Sequence, residues 1–91
     1  MPKKRSKIAI STEILRTIFD KGRARPTHIQ YAANLSYRRL SGYLDELISQ
    51  ELVERKTING KTFFVVTERG KEFLIGVQKI KEFSRSFGIE I

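Results

Sequence analysis

The chain has no cysteine and no tryptophan, one methionine, one histidine and two prolines. Without thiols neither a disulfide framework nor a thiolate metal site is open to it, and His28 alone cannot build a histidine cage. No metal and no cofactor are therefore expected. Nor is there a run of ~18 apolar residues, or a basic N-terminus leading into an apolar stretch, which argues against a spanning helix and a secretory leader. The expectation is a soluble, cytoplasmic protein with no membrane partner. Groupings that do chemistry are missing too. Asp45 and Glu46 are helix neighbours whose side chains diverge, no Ser, His and carboxylate set is suggested, and no glycine-rich phosphate loop occurs. An enzyme is not expected. Acids are scarce where bases are dense: residues 1–39 hold ten Lys or Arg against Glu13 and Asp20, while the rest hold eight against eight, so the net charge of +8 lies in the first part of the chain. That asymmetry favours a polyanionic partner over mere solubility.

What is present reads as one domain of 91 residues, small enough that a second subunit would help to bury its core. Residues 1–7, with Lys3, Lys4, Arg5 and Lys7, form a basic arm of the kind that lies along phosphates or enters a minor groove. A solvated basic terminus is the plainer alternative. From Ser6 the pattern turns helical, with Ile8, Ile10, Ile14, Leu15, Ile18 and Phe19 as the apolar face and Gly22 as the stop. A short first strand has room to form between Gly22 and Arg25. The stretch from Pro26 to Gln50 then predicts two short helices joined by a tight bend. Pro26 suits a helix start, Thr27 is placed to cap it with Gln30 three residues on, and Asn34-Leu35-Ser36 breaks the pattern before Ser36 caps a second helix. That punctuation is a helix-turn-helix. Leu40, Leu44, Leu47 and Ile48 give the second helix one core-facing stripe, which leaves Arg38, Gly42, Asp45 and Ser49 opposite it, with Arg39 and Glu46 at the margin. Arg38 and Arg39 in the first turn suit a major groove, where Arg pairs with guanine, although a solvated polar face is what most amphipathic helices have. Tyr37, Ser41 and Gly42 share that end of the helix. Arg25, Thr27 and His28 stand at the start of the preceding helix, whose amides suit a phosphate.

Downstream, Asn59-Gly60 is a two-residue hairpin signal of type I′, flanked by strand-forming residues. It fixes the register, pairing Ile58 with Lys61, Thr57 with Thr62, Lys56 with Phe63, Arg55 with Phe64 and Val53 with Val66. The result is a projecting hairpin with Lys56 and Lys61 flanking its tip, a wing. Lysines there either meet DNA or guard an edge strand against aggregation, and both reasons can hold. Thr67 caps a last helix, in which Phe73, Val77, Ile80, Ser84 and Phe87 follow heptad spacing with Leu74 and Phe83 beside them. Residues 68–91 are read as a dimerisation helix, with Phe73, Val77, Ile80, Phe83 and Phe87 joining two chains; packing back on its own domain is the alternative.

The element order is that of a winged helix-turn-helix, mainly α with a small β-hairpin. The blocks KKRSKI, PTHIQYAANLSYRRLSGYLDELISQELV and VTERGKEFL also resemble the small archaeal winged-helix family typified by the ten-kilodalton DNA-binding proteins of Sulfolobus type. The resemblance covers nearly the whole chain. It implies an α+β fold whose long C-terminal helices form an antiparallel coiled-coil dimer, and binding to double-stranded DNA with little sequence preference. It also implies that the residues from Tyr37 to Gly42 and the hairpin around Asn59-Gly60 face DNA. The expected arrangement is thus a basic arm over residues 1–7, a DNA-binding domain over 8–67 and the dimerisation helix, in a chromosome-associated protein. Competing expectations are a sequence-specific transcription regulator, a protein-contact module, and an RNA binder. The last would show exposed aromatics among Tyr37, Phe63 and Phe64, at least two of which are expected in the core.

Overall fold

The computed structural model describes residues 5–90. Helix α1 runs Lys7–Lys21, α2 Pro26–Ala33, α3 Tyr37–Ser49, strand β1 Val53–Ile58, β2 Lys61–Val66 and α4 Glu68–Ser86. Caps explain most of these bounds. Ser6 accepts from Ala9 N–H at 3.1 Å, Ser36 from Arg39 N–H at 3.2 Å and Thr67 from Gly70 N–H at 3.0 Å, so each fresh helix begins with one orphan donor satisfied. Helix α1 ends at Gly22, whose φ of 80° is open to a residue without a Cβ. The helix-turn-helix bend turns on Asn34, left-handed at φ 53°, whose own N–H reaches back to Tyr31 while the Leu35 N–H donates to Gln30 O at 3.1 Å. That pattern satisfies the last carbonyls of α2 and redirects the chain.

Helix α2 corrects one expectation. Thr27 does not cap it; the N-cap is Arg25, with no side-chain hydrogen bond, and Pro26 takes the first helical position. Proline is at home there because the missing N–H would be unpaired anyway, and it holds the residue before it extended. The early start of α2 also leaves no room for a first strand. In its place Ala24 alone bridges Phe64, donating to its carbonyl at 3.0 Å and accepting its N–H at 2.9 Å. The hairpin has the expected register, from Ile58 against Lys61 to Val53 against Val66, and both Asn59 and Gly60 have positive φ as a type I′ turn requires.

The core lies where α1, α2, α3 and the base of the hairpin meet: Ile14, Leu15, Ile18, Ile29, Leu40 and Val53 are all 0–1% exposed. Two residues read as part of the α1 core face, Ile8 and Phe19, are instead 47% exposed. Both line open grooves beside α4, Ile8 with Leu52 and Phe73, and Phe19 with Leu74 and Ile75. Helix α4 divides at its middle. Its first half is tied down by buried Gly70 and Leu74, and Phe73 packs against the core; beyond Val77 no residue is buried. No helix among the described residues is long and apolar enough to cross a membrane.

Candidate nucleic-acid interface

Helix α3 is set into the domain by Leu40, Leu44 and Leu47, which leaves Arg38 and Arg39 exposed in its first turn and Gly42 one turn on. Its two flanks differ. Tyr37, Ser41 and Asp45 recur every fourth residue and form a groove wall with Pro26, Arg55 and Thr62, so this flank looks toward the start of α2 and the hairpin. Arg38, Arg39, Gly42, Tyr43 and Glu46 line a second, more open depression that includes Lys7 on α1. The start of α3, the segment before α2 and the hairpin therefore share one side of the molecule.

The cations around α3 and the hairpin fall into two groups. Among the described residues Arg23, Arg25, Arg38, Arg39 and Lys61 make no salt bridge. Arg23 and Arg25 are nonetheless held in place, their guanidinium carbons 4.6 and 5.5 Å from the centre of the Phe63 ring. Cation–π contacts of this kind orient a guanidinium without neutralising it. The second group is committed to acids. Arg55 lies 5.6 Å from the Phe64 ring centre and 3.8 Å from Asp45; Lys56 lies 3.9 Å from Glu54. Lys7 contacts Glu46 at 2.5 Å, and that hydrogen bond, with the carboxylate's charge, raises the ammonium above its usual 10.5. What the pair adds is present below the ordinary lysine range and is lost only as pH climbs through the raised value. Asp45 and Glu46, the two acids on the middle turns of α3, are thus each faced by a base.

Of the remaining predicted residues, Thr27 and His28 are exposed in the first turn of α2, Ser36 is spent as the α3 cap, and Asn59 and Gly60 form the exposed hairpin turn. Arg5 is engaged within the fold, donating to Glu13 at 2.8 Å and to Asn34 O at 3.2 Å. Lys3 and Lys4 lie outside the described residues. Of the three aromatics weighed for stacking, only Phe64 is fully buried; Phe63 is half-buried beneath the arginines and Tyr37 is 66% exposed, not in the core. Sequence reasoning passed over Arg23, counted Lys7 only as part of the basic arm and Arg55 only as a hairpin cation below the tip. For Arg55 a signal existed, since the hairpin register pairs it across from Phe64; for Arg23 it did not, because its position over Phe63 depends on the Ala24 bridge.

A model of the winged helix-turn-helix family matches residues 4–85. The chain belongs to that family. An uncharacterised protein of Methanocaldococcus jannaschii is 36% identical over 83 residues, 91% of this chain and 80% of the relative. Among solved structures, Sso10a-2, a DNA-binding protein from Sulfolobus solfataricus, superposes with a TM-score of 0.78 at 24% identity, covering 91% of this chain and 85% of that one. The transcriptional regulator YodB of B. subtilis gives 0.75 at 23% identity over 85% and 78%. A MarR family regulator from Silicibacter pomeroyi gives 0.75 at 20%, over 87% of this chain but 56% of that one. These likenesses fix the winged-helix fold, which a DNA-binding protein and transcription regulators share.

Proposed function

We propose that this winged-helix protein binds double-stranded DNA as a homodimer, in the cytoplasm and along the chromosome, with little preference for sequence. The observation that carries the reading is the set of guanidinium groups without a salt bridge among the described residues, Arg38 and Arg39 exposed in the first turn of α3 and Arg23 and Arg25 stacked on Phe63 of the hairpin. Phosphates spaced along a duplex suit such a spread of cations, and helix α3 has the shape to enter a major groove. Weak preference follows from what lies beyond the first turn. Gly42 offers no side chain, while Asp45 and Glu46 are occupied by Arg55 and Lys7. Few groups remain to specify a long site. The Sulfolobus DNA-binding protein, alike over nearly its whole length, supports the same reading. The basic arm would extend the contact through the residues before Arg5, since Arg5, Ser6 and Lys7 are held at the start of α1; the domain as far as residue 67 would bind, and 68–91 would join two chains through the apolar half of α4, where Ile80, Phe83 and Phe87 are 56–69% exposed.

A second reading, a sequence-specific regulator, draws on Tyr37 and Ser41, polar side chains that line the groove wall of α3. Selecting from a random duplex pool with the purified protein separates the two. No enriched motif is expected. A strongly enriched motif would make the protein a specific regulator instead.

A further inference from the structure

An open cavity of about 730 Å³ lies away from the hairpin. It opens between α1, the second half of α3 and the start of α4, with a floor of Ile8, Leu47, Leu52 and Phe73 and, at its rim, Arg69, Glu72 and the Lys7–Glu46 pair. Arg69 makes no salt bridge among the described residues. On the same flank of α4, further along, the apolar stripe of Gly76, Ile80, Phe83 and Phe87 follows on from Arg69 and Phe73 at helical spacing. With Ile89 beyond it, the exposed apolar side chain there is on the order of 500 Å², near the upper end of what a monomer normally shows water.

We propose that this cavity receives the C-terminal segment of a second copy of the chain, from Phe87 to Glu90. The idea rests on the dimer proposed above and gives it a geometry. On its own helix Phe87 lies fourteen residues past Phe73, about 21 Å along the axis, so α4 carries its own C-terminal end away from this cavity. A second copy running antiparallel brings its end back to it. Phe73 and Phe87 sit seven residues to either side of Ile80, so placing Ile80 against the partner's Ile80 sets the partner's Phe87 on Phe73 at the cavity mouth. The partner's Ile89 then enters over Ile8 and Leu52, and the partner's Glu90 meets the unpaired Arg69. The arrangement is reciprocal, with two tails in two cavities, as a two-fold interface demands. It also sets the tail against Tyr43, Glu46 and Leu47, the inner flank of α3.

Because the chain has no cysteine, paired thiols report on this directly. Ser11→Cys places one in the cavity wall and Ile89→Cys one in the tail; mixing the two single variants under mild oxidation should give a disulfide-linked dimer in high yield, with little from either alone. Phe87→Ala should weaken the wild-type dimer about tenfold or more in sedimentation equilibrium, as loss of a central aromatic anchor does. If the chain sediments as a dimer but the mixture does not cross-link, the tail lies elsewhere and this inference falls while the dimer stands. Cross-linking by Ile89→Cys alone would mean parallel helices and would overturn it too. A monomer at all concentrations would remove both the inference and the proposed dimer, and leave the cavity to another ligand.

Discussion

Gly70 shows how a single missing methyl group organises the base of the domain. It is the third residue of α4 and is buried, and a Cβ there would collide with the Leu52 carbonyl oxygen and the Val66 side chain. The former is backbone and cannot step aside, so Gly70→Ala should lower stability by about 1–3 kcal/mol, as overpacking does, despite alanine's better helix propensity. Gly42, inside helix α3 with nothing within 4 Å, is the control: Gly42→Ala should raise stability by about 0.5–1 kcal/mol in thermal or urea unfolding. Equal effects at the two positions would mean that α4 does not dock as described. For DNA, Arg38 and Lys61 are the informative pair, one in the first turn of α3 and one at the hairpin tip. In a sequence-blind binder Arg38→Ala and Lys61→Ala should each weaken all duplexes alike and flatten the salt slope by about one unit. A loss at Arg38 confined to some sequences, worth about 1–3 kcal/mol, would instead mark a base contact.

At the scale of elements, the hairpin was legible down to its register because a two-residue turn leaves no freedom: once Asn59-Gly60 is the turn, every pair follows. Helix α3 was legible for a similar reason, since Ser36 marks its start and the leucine stripe its buried face. The cap of helix α2 was misplaced by two residues, Thr27 for Arg25, because Pro26 and Thr27 both signal a start, and the proline, being fixed in φ, takes precedence at the first helical position. Helix α4 was the least legible. Its heptad pattern is real, but periodicity reports only that a face is apolar, not what covers it. The domain itself takes Phe73, Leu74 and Gly70, and the stripe from Ile80 onward is left without cover. Val77→Glu with Ile80→Glu should therefore leave the domain folded, with an intact circular-dichroism spectrum, yet give monomers in sedimentation, since buried unpaired charge costs several kcal/mol per ion. A double variant that still dimerises would place the interface elsewhere. The candidate DNA side was only half visible in sequence. Charge and spacing marked Arg38, Arg39 and Lys61, whereas the stacking of Arg23 and Arg25 on Phe63 and the pairing of Asp45 and Glu46 with cations arise from tertiary contacts.

Taken whole, the molecule is long and asymmetric, 48 × 34 × 21 Å, with uncompensated cations gathered around α3 and the hairpin and apolar surface along the far half of α4. Such a division suits a dimer held by its helices and offering two basic faces to one duplex. A charge-led contact leaves a thermodynamic signature that shape-led recognition does not: each phosphate neutralised releases condensed counterions, so affinity falls with salt at a slope of about −0.9 per contact. The most direct test is therefore a titration of a mixed-sequence duplex with the full chain at salt concentrations from about 50 to 200 mM. The logarithm of affinity should fall linearly with the logarithm of salt, with a slope of several units per dimer that is the same for unrelated sequences. Affinity that does not change over this range, or no duplex binding even at the lowest salt, would contradict the account.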